Sequence, residues 1–187
     1  AGAFTVGGAT ASSTVASSTN AVTLILASGI AGTATTTVAY TPGTAADLAG
    51  NSVAGFSQTS TDEAGPVPLS ARTIDTTHIT VTFSEDLNGS SDSPADFFVD
   101  VDADPASDVS ATGESAGVVT LTLDTAMGTG DTPDITVDGD GVSVGLKDLN
   151  DNWSPAEYTL TAVDGVAPTL SAVHIESDNA STTLAKV

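Results

Sequence analysis

The chain has 187 residues and a formal charge of −21, with 24 Asp+Glu against 3 Lys+Arg, and it contains no Cys. So few cations exclude a nucleic-acid binder, which must neutralise phosphates with Lys and Arg, and a polybasic membrane-surface protein. The lack of Cys excludes a disulfide scaffold and thiolate metal sites. No apolar run approaches the roughly 20 residues of a spanning helix, and no signal-peptide pattern is present.

High net charge with few aromatics is one signature of disorder, yet charged residues are only 14% of the chain. The apolar residues also alternate in defined runs, so a folded chain is expected. Thirty Thr, with abundant Val, suit pleated and half-buried strands. The class expected is all-β.

In chain order, the first apolar runs are Phe4-Thr5-Val6 and Val22-Thr23-Leu24-Ile25-Leu26, followed by the polar loop Asp47–Asn51. From residue 65 on, short strands bounded by turn residues are predicted at 67–74, 78–83, 97–102, 108–112, 118–123, 135–137, 142–146 and 158–163. Ile79, Val81 and Phe83 alternate onto one face. Seven or eight strands with turn signals between them predict a two-sheet sandwich, and no window holds a helical period. The predicted core is modest: Phe83, Phe97, Val99, Val119, Leu121, Leu123, Ile135, Leu146, Leu149, Tyr158 and Leu160.

Laid on itself, the chain repeats. Val22–Leu26 matches Val119–Leu123, Asp47–Asn51 matches Asp148–Asn152, and Leu69-Ser70-Ala71 matches Leu170-Ser171-Ala172. The spacing of about 100 residues is that of one sandwich domain. Residues 65–165 read as one complete unit, 1–64 as the later part of a preceding one, and 166–187 as the first strands of the next. Phe4-Thr5-Val6 then lies against Phe97-Phe98-Val99, and Ser181–Leu184 against Thr80–Phe83. Two explanations stand. The chain is a window on a longer tandem array, or residues 166–187 complete residues 1–64 of a neighbouring copy by donated-strand pairing.

Ile79-Thr80-Val81-Thr82-Phe83-Ser84-Glu85-Asp86-Leu87, Ala95–Val99, Val119–Leu123, Leu146–Asn152 and Asp164–Leu170 together resemble the Ig-like repeats of prokaryotic cell-surface proteins. Such repeats occur in surface-layer (S-layer) proteins and large adhesins. The acidity and Thr-richness look most similar to an archaeal S-layer protein of saline water. The resemblance implies tandem Ig-like β-sandwiches, an extracellular place at the cell surface, self-association into a lattice or array, and no catalysis. It implies little about function beyond that, because folds of this kind serve many roles. The family pattern has Gly in its Asp loop where this chain has Asp151.

Asp100, Asp102 and Asp104 alternate, so on a strand they point to one face that suits a hard cation, Ca²⁺ above all. Asp148-Leu149-Asn150-Asp151-Asn152 resembles the calcium linker motif of cadherins, which makes Asp148 and Asp151 candidate ligands. A solvated acidic edge that discourages strand pairing is the alternative for both. An EF-hand is excluded, because a loop beginning at Asp100 has Pro105 and Ala111 where Gly and Glu are required. Asn88-Gly89-Ser90 and Asn179-Ala180-Ser181 fit the N-glycosylation pattern, while Asn152-Trp153-Ser154 is discounted for the proline that follows. His78 and His174 read as strand-start histidines, and Gly139-Asp140-Gly141 as a turn. Finally, a net charge of −21 needs counter-ions, and a lattice of such units would concentrate cations and repel anions at its pores.

Overall fold

Strands dominate the computed structural model, which describes residues 3–11, 13–16, 22–28, 35–44, 46–89, 92–102, 107–170, 172, 177–178 and 181–182. In chain order these are β1 (Ala3–Val6), β2 (Ala9–Thr10), β3 (Ser13–Ala16), β4 (Val22–Ile25), β5 (Thr37–Thr41) and β6 (Phe56–Thr59). Then come β7 (Pro68–Thr73), β8 (His78–Phe83), β9 (Phe97–Val99), β10 (Val109–Ser115), β11 (Val118–Leu123), β12 (Asp134–Val137) and β13 (Tyr158–Thr161). The last pair is β14 (Ser177–Asp178) and β15 (Ser181–Thr182). One short 3-10 turn, Pro94–Asp96, is capped reciprocally by Ser93 and Asp96.

Two sheets share one core. The first runs β10-β11-β8-β7 and the second β13-β12-β9, all antiparallel. β8 and β11 bury every second residue, as their Ile/Val/Leu alternation requires. Ile79, Val81, Val119, Leu121, Phe97, Val99, Ile135 and Val137 are all essentially inaccessible. The sheets are stitched at one margin, where Val163 forms a parallel bridge to Arg72. There the Thr73 amide donates to the Val163 carbonyl at 3.1 Å, and the Val163 amide to the Ala71 carbonyl at 2.9 Å. The all-β sandwich expected from the sequence is what is found.

Two strand predictions need correction. The 142–146 run is not a strand. The carboxylate of Asp140 accepts the amides of Val142, Ser143 and Val144 at 2.7–2.9 Å, so those donors are taken before a ladder can use them. The turn closes on Gly145, whose φ of +95° and backbone contact leave no room for a Cβ. The third strand ends at Val99 rather than at 102, because the Val101 amide goes to Asp108 Oδ2 at 2.7 Å.

The first part of the chain builds a sheet of the same design, β2-β1-β5-β6, and a separate β3–β4 hairpin. Its row Phe4, Tyr40 and Phe56 lies across β1, β5 and β6 as Phe97, Val137 and Tyr158 lie across β9, β12 and β13. The three rings cluster, with centroids 4.8–6.3 Å apart. Tyr40 is buried, whereas Phe56 stays 41% exposed.

Candidate metal centre

The Asp148 loop is a local structure that needs little help. Asp148 Oδ1 accepts the amides of Asn150 and Asn152 at 2.8 Å, and its Oδ2 accepts Asn152 Nδ2 at 2.8 Å. A Lys147–Trp153 bridge closes the base of the loop. Asp47 does the same in the earlier loop, accepting the Ala49 and Asn51 amides and Asn51 Nδ2 under an Ala46–Ser52 bridge. Gly50 sits there at φ +90°, and its counterpart Asp151 adopts φ +66°. Asp151 therefore keeps the turn that the family pattern assigns to Gly, a conformation Asp tolerates better than most residues. Its exposed carboxylate lies 3.3 Å from Lys147 Nζ, which also stands 4.4 Å over the Trp153 ring.

The surroundings separate the two loops. Asp47 is exposed, and its bonds with Asn51 foremost hold its carboxyl below the usual carboxylate range. Asp148 is 1% exposed and faces two more carboxylates. Glu85 follows β8, where the Ser84 amide donates to the Val67 carbonyl and the Val67 amide to Ser84 Oγ. Those two bonds bring the segment before β7 against the end of β8. Gly65 makes the approach possible, since a Cβ there would sit 1.8 Å from the Trp153 carbonyl oxygen. Asp62 is then held by Asn150 Nδ2 on its Oδ2 and by Asn152 Nδ2 on its carbonyl, both at 3.2 Å.

The result is a cluster of Asp62, Glu85 and Asp148, with one carboxylate oxygen from each lying within 4.8 Å of the other two. Glu85 is only 6% exposed; its Oε1 has a long 3.5 Å contact from Ser84 Oγ, and its Oε2 has no hydrogen-bond partner. Burial, reinforced by the charges of Asp148 and Asp62, pushes the Glu85 carboxyl up to about 7. An all-oxygen, carboxylate-only donor set is the chemistry of hard cations.

Of the residues named from sequence, Asp148 lies in this cluster and Asp151 points away from it. Asp100 and Asp102 do come together, though not as a strand face, since the strand has ended before them. They meet with Asp108, one oxygen from each again within 4.8 Å of the other two. The Asp102 amide bonds Asp100 Oδ1 at 3.2 Å. Asp104, Asn179 and His174 lie outside the described residues. Asn88 is half-buried beside the Leu87–Asp148 bridge, its amide bonded to the Lys147 carbonyl at 2.8 Å. The Asn152 side chain spends its amide on Asp148 and Asp62, a structural reason to discount it as a glycan acceptor. His78 does begin β8, with Nδ1 2.9 Å from Asp75.

Sequence reasoning missed Glu85 and Asp62. Glu85 belongs to the TFSE strand end quoted for the resemblance, but nothing in its spacing ties it to Asp148. Asp62 carries one local sign, an Asx turn to the Ala64 amide that recurs at Asp164 and Val166.

No family model and no curated protein matches the chain. Among solved structures, the N-terminal part of the bacterial S-layer protein SbsC is similar over 59% of this chain, at 20% identity and a TM-score of 0.44. The chain spans 26% of that structure's length. A likeness so distant identifies neither the family nor the function.

Proposed function

We propose that this chain is a structural, non-catalytic segment of a prokaryotic cell-surface protein, made of tandem Ig-like β-sandwich repeats that associate with copies of themselves in an S-layer lattice. One observation carries the reading: the same parts recur in the same order along the chain. The sheet β1-β5-β6 corresponds to β9-β12-β13, the Asp47 loop to the Asp148 loop, and the Asp62 turn to the Asp164 turn. On this reading 65–165 is the complete unit, 1–64 the later part of one, and 166–187 the start of another. A chain of such units is a spacer or lattice brick, and its charge of −21 gives the assembly a cation-attracting, anion-repelling surface. Exposed Val22 and Phe56 in the earlier part favour completion by further strands, such as residues 166–187 of a neighbouring copy. Asn88 is the proposed glycan acceptor.

Negative-stain electron microscopy of the purified protein, with Ca²⁺ and then with a chelator, tests the assembly. Ordered two-dimensional sheets are expected. Isolated rods in both conditions would overturn the lattice and leave the stalk of a large adhesin as the reading.

A further inference from the structure

Glu85 poses a physical problem. A carboxylate that is nine-tenths buried, with one oxygen unpaired, only the long Ser84 contact on the other and two more carboxylates facing it, has lost its water for little in return. The Asp148 loop does not require this. The Asp47 loop has the same internal bonds, and its Asp is exposed. The unpaired Oε2 of Glu85 therefore answers to something besides the loop's own geometry.

We propose that Asp62, Glu85 and Asp148 together hold one hard divalent cation, Ca²⁺ in preference to Mg²⁺. One oxygen from each carboxylate lies within 4.8 Å of the other two, which fits the diameter of a Ca²⁺ shell, about twice its 2.3–2.6 Å metal–oxygen distance. Asp148 and Glu85 are nearly inaccessible, so the ion cannot keep the several waters that Mg²⁺ retains. Ca²⁺ accepts bidentate carboxylates and irregular geometry instead. Asp62, which is half-buried, forms the open side through which the ion and its remaining water enter. The Asp100–Asp102–Asp108 group has no buried unpaired oxygen among the described residues and is assigned no ion.

The ion would tie the segment before β7 to the end of β8 and to the Asp148 loop, three stretches far apart in sequence. The site rests on these three side chains and not on where the protein resides, so it stands or falls separately from the lattice.

The test uses the full chain stripped with chelator, in mildly alkaline buffer, with Ca²⁺, Mg²⁺ or Tb³⁺ added alone. Calorimetry should find Ca²⁺ bound with a rise in Tm, and Mg²⁺ bound more weakly. Tb³⁺ should show emission sensitised by Trp153, the single Trp, which adjoins Asn152. Glu85→Gln should weaken Ca²⁺ binding by roughly tenfold or more, since even outer-shell losses at metal sites cost about that much. The same variant should melt higher than the native chain in chelator, which also establishes that it folds. Asp100→Asn with Asp102→Asn should bind as the native chain does. Unchanged Tm and no heat with Ca²⁺, native affinity in Glu85→Gln, or loss of binding in the Asp100/Asp102 variant would each overturn the proposal.

Discussion

Asp47 and Asp148 hold their loops with the same set of bonds, each accepting the amides two and four residues on and the side-chain amide of an Asn, yet only Asp148 is buried. Removing the two carboxylates should have unequal effects. Asp148→Ala removes a buried carboxylate that accepts three bonds and leaves a cavity under its loop, and should destabilise the sandwich by about 2–4 kcal/mol. Asp47→Ala loosens an exposed loop and should leave the transition followed by Trp153 fluorescence where it is. Equal shifts in urea melts would contradict the difference in burial.

The two aromatic rows should behave unequally as well. Phe97 is 2% exposed at the centre of the core, and Phe97→Ala should cost about 3–5 kcal/mol. Phe56, its ring stacked on Tyr40 but 41% exposed, should cost less than about 1 kcal/mol when truncated. Denaturant titration of the two variants against the native chain measures both.

The turn at Asp140 carries a pH signature. Three backbone amides, with that of Ser143 foremost, hold its carboxyl well below the ordinary range. A carboxyl with a lowered folded pKa stabilises above its unfolded value, about 3.9, and that contribution is lost as pH falls through the folded value. Carboxyl-detected NMR should find Asp140 titrating below the ordinary aspartate range on acidification, with the Val142–Val144 amides shifting together with it. Titration at the ordinary value would refute the amide cradle.

Glycine is required on both sides of that turn. A Cβ at Gly139 would stand 2.3 Å from the Ala156 carbonyl oxygen, and one at Gly145 2.1 Å from that of Asp138. Each Gly→Ala change should cost about 2 kcal/mol or more, read as a fall in Tm. A neutral Gly145→Ala would mean that the turn does not close as described.

What the sequence made legible follows from how local each signal is. β8 and β11 match the predicted spans because alternation along one strand is enough to define them. The 142–146 run has equally good alternation, but one carboxylate outside it captured its amides, and periodicity does not register that competition. The Asp148 loop could be read from its own residues. Its surroundings could not, because Asp62 and Glu85 reach it through the pairing of Val67 with Ser84 and the close pass of Gly65 under Trp153. The resemblance of the loop to the cadherin calcium motif pointed to Asp151 as a second ligand, whereas that residue sits at a positive φ with its carboxylate beside Lys147.

The parallel pairing of Val163 with the Ala71–Thr73 stretch has a mechanical consequence. The chain enters the sandwich along β7 and leaves beyond Val163 in the same direction, joined by two hydrogen bonds between those segments. A pull on the two ends moves the paired segments past each other, so the bonds are loaded together in shear and not peeled open one at a time. In a string of such units the force would have to break the seam between the sheets before any strand could unravel, and each unit would act as a latch under tension.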